Sequence, residues 1–196
     1  MMEIKTDTKS KIMYAAIKLF PELGYENTSM RRIAEEVGIT KPALYYYYQN
    51  KDELFQSIVE FGNNFSRQKL LQIRDKKMPI EEKLKELVWI KFSFMQENEE
   101  VRRFSGWLTT DGMKYLMKYD LNQEIKSQTN LLYEIIEKAK ENGELRTDLN
   151  AEAFIFLLYG AANIYIRRSH HFGEETINQE KIKILIDTLM RSSKNN

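Results

Sequence analysis

The sequence predicts an all-α protein: an N-terminal three-helix helix-turn-helix unit followed by a C-terminal helical bundle, about nine helices in total. Three observations carry this. Only three of the 196 residues are proline and eight are glycine, so few positions interrupt a helix. Apolar residues recur at intervals of three and four rather than two. Lys, Glu, Leu and Ile, which helices accommodate readily, are abundant.

The first helix is written in "SKIMYAAIKLFPELGY", where Ile12, Ala16, Leu19, Phe20 and Leu23 share one face and charges occupy the other. Pro21 removes one backbone donor and should bend the last turn, and Gly24 is placed for a left-handed cap. Asn27, Thr28 and Ser29 supply side-chain caps for a second helix, "MRRIAEEVG", which buries Met30, Ile33, Ala34 and Val37. Ala34 is small and precedes Gly38 by four residues, which permits a tight turn and a close crossing. Thr40 caps a third, short helix that tolerates Pro42 in its first turn. Helix, glycine turn and short helix make the pattern in which the last member enters the major groove of DNA.

That third helix carries four consecutive tyrosines, in "GITKPALYYYYQNKDELF". At about 100° per residue, Leu44 and Tyr48 share a face and belong to the core. Pro42 and Tyr46 point the opposite way, Tyr47 lies beside them, and Tyr45 sits on the boundary. A phenol suits a groove, since its hydroxyl donates to phosphate and its ring rests on sugar or a thymine methyl. Lys51, at the start of the next helix, reads either as a solvated charge or as a phosphate clamp. Residues 1–51 hold eight basic and six acidic side chains. DNA binding must then come from placed contacts rather than a broad positive field.

The joint pattern in "AAIKLFPELGYENTSMRRIAEEVGITKPALYYYYQNKDELF" resembles the DNA-binding domain of the TetR family of bacterial transcriptional regulators, over roughly residues 10–60. The resemblance implies a double-stranded DNA operator as partner. It implies contacts from Thr28, Ser29 and Arg31 at helix two, and from Thr40, Lys41, Pro42, Tyr45, Tyr46 and Tyr47 at the recognition helix, with Lys51 on the backbone. Tyr47 stands where many relatives have histidine, Tyr48 where most have phenylalanine, and Pro42 where glycine is commoner. The operator sequence therefore does not carry over.

Helix four is expected over 51–75, leaving the DNA-binding domain (1–52) for an effector-binding and dimerisation domain (53–196). Pro79 opens a helix that turns apolar nearly all round between Val88 and Met95. Gly106 and Gly112 should break the next stretch into one or two short helices. A long helix follows over about 121–142, ended by Gly143. Asn150 caps an apolar helix over 151–169, and a last helix spans about 176–192.

A clump of large soft side chains falls in this part: Trp89, Phe92, Met95, Phe104, Trp107, Leu108, Met113, Leu116, Tyr133 and Tyr159. It reads as core or as an apolar pocket with polar tips. The resemblance favours the pocket and implies a small-molecule effector, without naming it; a same-fold regulator with a protein partner or no small-molecule effector is the alternative. "YGAAN" invites close approach of another helix. The resemblance makes that a homodimer interface of the last two helices, with Gly160, Ala161, Ile164, Ile184, Leu185 and Leu189.

Other chemistry is not written here. There is no cysteine, so disulfides and thiolate metal sites are excluded. His170 and His171 are adjacent and do not share a helical face, and no HExxH, GxGxxG or phosphate loop occurs. No cofactor, metal or enzymatic activity is expected. "MMEIKTDTKSK" holds no apolar stretch, and the run at 153–166 is too short to span a bilayer. The expectation is a cytoplasmic regulator, a repressor, with no membrane partner.

Overall fold

The computed structural model describes residues 7–96, 98–119, 122–172 and 178–193. Among the described residues the chain forms ten α-helices and no strand. They are α1 (Thr8–Leu23), α2 (Met30–Val37), α3 (Lys41–Tyr47), α4 (Lys51–Asp75) and α5 (Ile80–Gln96). After these come α6 (Glu99–Leu108), α7 (Met113–Leu116), α8 (Asn122–Glu141), α9 (Ala151–Phe172) and α10 (Gln179–Arg191). The all-α class is as expected; the count is ten rather than nine. The stretch after α5 is two helices, and Gly106 lies buried inside α6 and does not break it. Gly112 does mark a break, as the cap residue of α7.

The helices group into two compact units. One comprises Met1–Asn64 and Glu97–Tyr119; the other comprises Phe65–Gln96 and Asp120–Asn196. The chain thus re-enters the first unit after α5, where sequence pattern alone suggests a single division after residue 52. The long helix α4 supplies its first half to one unit and its second half to the other.

In the first unit, α1 packs on α2 and α6, α2 on α3, and α6 on α7. Ile12, Ala15, Ala16, Leu19 and Phe20 form the buried face of α1, and Asp7 caps its start by accepting from the Ser10 N–H at 2.8 Å. Leu23, expected on that face, is 40% exposed. Gly24 has φ 78° and ψ 156°, an extended conformation essentially open only to glycine rather than the left-handed helical cap expected. Gly38, at φ 75° and ψ 32°, is left-handed as the turn of the motif requires. Asn50 accepts from the Glu53 N–H (2.8 Å) while Glu53 reaches back to accept from the Gln49 N–H (2.6 Å). This reciprocal cap fixes where α4 departs from α3.

An aromatic stack forms the centre of this unit. Trp107 of α6 stacks on Phe20 of α1 (centroids 6.0 Å, 14° between planes) and meets Phe55 of α4 edge-on at 6.2 Å. Phe104 lies 5.6 Å from Trp107 and 6.3 Å from Phe55. Tyr115 of α7 stacks on the Trp107 ring at 6.2 Å and faces Tyr25 at 4.3 Å. The rings of Phe104, Trp107 and Tyr115 are buried. The indole leaves no room beside Gly112, where an added Cβ would lie 2.8 Å from it. Polar contacts fasten the first half of α6 to α1: Tyr14 donates to Glu100 (2.8 Å) and Arg103 pairs with Glu22 (3.3 Å).

In the second unit, α5 packs against α8, α9 and α10, and α9 also contacts α8 and α10. The buried side chains include Leu84, Leu87 and Val88 of α5, Ile135 and Ile136 of α8, Phe154 and Leu158 of α9, and Ile182, Ile186 and Met190 of α10. The Ile80 N–H at the start of α5 donates to the Glu144 carboxylate at 2.6 Å, a negative charge where the helix dipole favours one. No helix of the described residues is long and apolar enough to cross a membrane.

Candidate nucleic-acid interface

The outer surface of α3 is the most distinctive in the first unit. Leu44 and Tyr48 turn inward, at 0% and 1% exposure, while Tyr46 is 85% exposed. Tyr45 and Lys41 are also exposed, and Tyr47 is half-buried. The Tyr46 and Tyr47 rings meet edge to face at 5.2 Å, and the Lys41 ammonium lies 5.6 Å from the Tyr45 ring. Contacts of this kind at an exposed site are worth about 0.5–1 kcal/mol each. Pro42 in the first turn leaves α3 one amide short at the exposed end. The face assignments made from helical periodicity match for Tyr46 and Tyr48; Tyr45, placed on the boundary, is exposed, and Tyr47, placed outward, is half-buried.

Two hydroxyls double as caps. Thr40 accepts from the Ala43 N–H at 3.3 Å, and Ser29 accepts from the Arg32 N–H at 3.1 Å. Both residues are exposed. Because each cap uses a lone pair of oxygen, the hydroxyl proton stays free to donate to a phosphate. Arg31 pairs with Glu35 at 2.9 Å on an open surface, a pairing weak enough to give way to a phosphate.

Thr28 is a correction. Its side chain is fully buried, and its hydroxyl donates to the Gly24 carbonyl at 2.8 Å. It closes the end of α1 rather than facing a ligand. Asn27 does the same by donating to the Leu23 carbonyl at 3.0 Å, so of the three expected caps only Ser29 serves α2.

Lys51 is neither a free solvated charge nor a simple clamp. Its ammonium donates to the Tyr25 carbonyl (2.5 Å) and approaches that of Glu26 (3.3 Å), 4.3 Å from the Tyr25 ring. Desolvation lowers its pKa, against the opposing pull of Glu26 and Asp52. An ammonium has three donors, so one remains for a phosphate while the others hold the turn between α1 and α2. Tyr25 in turn donates to Asp52 at 2.5 Å. Burial, and then this bond to a carboxylate, push its phenol well above the ordinary range.

The Tyr48 hydroxyl is buried with no hydrogen-bond partner among the described residues. Burial pushes its pKa up to about 12. A buried unsatisfied hydroxyl costs about 1–3 kcal/mol, so Tyr48→Phe is expected to stabilise the protein by about 1 kcal/mol. Urea unfolding followed by circular dichroism checks this; a destabilised variant would mean that the hydroxyl has a partner.

Of the aromatic clump, Phe104, Trp107, Leu108, Met113 and Leu116 lie in the first unit, and Trp89, Tyr133 and Tyr159 in the second. Phe104 and Trp107 are committed to the stack already described, Leu108 and Leu116 are half-buried, and Met113 is exposed. Trp89 (α5), Tyr133 (α8) and Tyr159 (α9) are half-buried on three helices that contact one another. Desolvation pushes the Tyr159 phenol upward. The side chains of Phe92 and Met95, like those of His170 and His171, fall outside those described. Among the described residues, no group of histidines and carboxylates is placed to hold a metal.

On α9 and α10 several large apolar side chains face outward. Phe156 and Leu157, which no sequence signal singles out, are 67% and 62% exposed, and Ile164 and Ile184 are 57% and 59% exposed. Gly160 is exposed, with nothing within 4 Å of an added Cβ. Ala161, Leu185 and Leu189 are half-buried.

Comparison with known proteins matches residues 12–58 to the model of "Bacterial regulatory proteins, tetR family". The biofilm operon icaADBC negative transcriptional regulator IcaR of Staphylococcus epidermidis is 42% identical over 67 residues, which cover 34% of this chain and 36% of that relative. Among solved structures, the fatty acid degradation regulator FadR from Bacillus halodurans superposes with a TM-score of 0.80 at 20% identity, over 95% of this chain and 96% of the other. The regulator FadR from Bacillus subtilis, in complex with stearoyl-CoA, gives 0.75 at 18% identity, over 92% and 95%. At these identities the two structures speak for the fold.

Proposed function

We propose, from the match of residues 12–58 to the tetR family of bacterial regulatory proteins, that the protein is a tetR-family regulator: a homodimeric, sequence-specific DNA-binding repressor. In this reading it sits in the cytoplasm and is released from a palindromic operator by a small apolar or aromatic effector. The observation that carries the reading is the outer face of α3, where Lys41, Tyr45, Tyr46 and Tyr47 stand on a helix anchored from behind by Leu44 and Tyr48. Ser29, Arg31, Thr40 and Pro42 border that face and Lys51 holds the adjoining turn. The relatives are transcriptional regulators and not enzymes.

Dimerisation follows from two considerations. One copy offers too few phosphate contacts for tight binding with so small a basic excess, and a doubled contact multiplies affinity. The outward apolar side chains of α9 and α10 are of the kind a second copy covers. Gly160, Ala161, Ile164, Ile184, Leu185 and Leu189 are the proposed interface, joined by Phe156 and Leu157.

For the effector, the second unit offers Trp89, Tyr133 and Tyr159: an apolar lining with two phenols to orient a polar group. The stearoyl-CoA in the Bacillus subtilis FadR structure carries a long apolar acyl chain, which supports an apolar effector. An effector releases DNA only if it favours the other conformation. A coupling of about 1–3 kcal/mol corresponds to a 5- to 150-fold loss of affinity. A panel of aromatic and long-chain apolar compounds, titrated into the Trp107→Phe variant, is expected to include one that quenches Trp89 fluorescence and weakens binding to a selected duplex in that range. Quenching with unchanged DNA affinity across the full titration would contradict the proposal.

A further inference from the structure

Two lysines of the first unit are not absorbed by the helix-turn-helix. Lys114 and Lys118, one helical turn apart around α7, are both exposed. Their ammonium groups lie 4.9 and 5.3 Å from the centre of the Tyr115 ring. Tyr115 faces Tyr25 at 4.3 Å, and the Lys51 ammonium lies 4.3 Å from Tyr25. Three cations are thus arrayed about one pair of apposed phenol rings. Just beyond α7, Tyr119 donates to the backbone carbonyl of Asp52 at 3.2 Å. This fastens the segment to the start of α4, the residue next to Lys51.

We infer that α7 is a second DNA-contacting element, whose Lys114 and Lys118 meet backbone phosphates beyond those reached by the helix-turn-helix. The inference rests on the DNA-binding reading and extends its surface. Lys51 holds the turn that carries Tyr25, and α7 lies against the same Tyr25 through Tyr115, which brings its lysines next to Lys51. Closeness to Lys51, through the paired rings of Tyr115 and Tyr25, favours a phosphate partner shared with the helix-turn-helix. Asp52, the carboxylate between the rings and the α4 start, is occupied by the Tyr25 hydroxyl at 2.5 Å. Among the described residues, Glu26 and Asp111 are the other exposed acids on these segments. The lysines need no base to read, because a duplex offers one charge per about 1.7 Å of its axis. Met113 and Met117, exposed beside them, supply apolar contact to sugars. A weakly basic motif gains a sequence-independent share of its affinity in this way.

The test uses the full-length protein and a fluorescein-labelled random-sequence duplex, with affinity measured by anisotropy as salt is raised. Each phosphate that the protein neutralises contributes about 0.9 to the slope of log K against log salt. The Lys114→Gln/Lys118→Gln variant is therefore expected to have a slope shallower by about 1.8 per protomer, while Lys114→Arg/Lys118→Arg keeps the wild-type slope. Circular dichroism establishes that each variant is folded, and the arginine pair separates charge from packing. A wild-type slope in the glutamine variant, with a reduced slope in Lys41→Ala, overturns the α7 contact and leaves the helix-turn-helix reading standing. No salt-dependent duplex binding by the wild-type protein overturns both.

Discussion

Trp107→Ala is expected to destabilise the protein by about 3–5 kcal/mol, the range for truncating a buried large aromatic. Whole domains are stable by only about 5–15 kcal/mol, so the loss should leave the first unit marginal and abolish duplex binding near physiological temperature. The reason is the number of partners. The indole stacks on Phe20, meets Phe55 and Phe104, carries Tyr115, and fills the space beside Gly112. Removing it opens a cavity at the junction of α1, α4, α6 and α7, whose rigid walls cannot close around it. A side chain lining an open effector pocket would behave otherwise, losing ligand response and little stability. Thermal and urea unfolding decide between these; a loss below about 1 kcal/mol would return Trp107 to the pocket.

Ile164→Asp is expected to split the dimer with the monomer fold intact. In a single copy Ile164 is 57% exposed, and substitutions at such positions generally fall within about 0.5 kcal/mol. In a two-fold dimer the same change appears twice on one self-complementary surface. It then buries carboxylates without partners, at a cost on the order of 3 kcal/mol or more, equivalent to at least two decades in Kd. Sedimentation velocity at micromolar concentration should show monomer for the variant and dimer for the wild type, with DNA affinity falling in parallel. An unaltered dimer would move the interface away from this face of α9.

How much of this was legible in the sequence depends on how local each determinant is. The sorting of Leu44 and Tyr48 inward and Tyr46 outward follows from the turn of one helix, and periodicity gives it directly. Ser29 and Thr40 as caps are equally local. Thr28 is different: a hydroxyl at a helix start reads as a cap, yet here α1 packing turns it back to Gly24. Phe104 and Trp107 defeated composition for a similar reason. The same aromatic residues build a core or a pocket, and what decides is the return of α6 to α1. The Tyr14–Glu100 hydrogen bond, 86 residues apart in the chain, marks that return. For Lys51 the sequence leaves a solvated charge and a phosphate clamp open, because the carbonyls that hold it belong to a turn 25 residues earlier. The outward placement of Phe156 and Leu157 was hidden within a run that is apolar on nearly every side.

The central claim is that the face of α3 reads a two-fold DNA site. The direct measurement is selection of duplexes from a random pool by the wild-type protein and by Lys41→Ala, followed by sequencing. The wild-type protein is predicted to enrich one palindromic motif with half-site centres about 34 Å apart, or a multiple of that. Lys41→Ala is predicted to relax or shift base preference within each half-site and to leave the spacing unchanged. Enrichment of no motif above the starting pool, or the same motif unaltered in the variant, would contradict it.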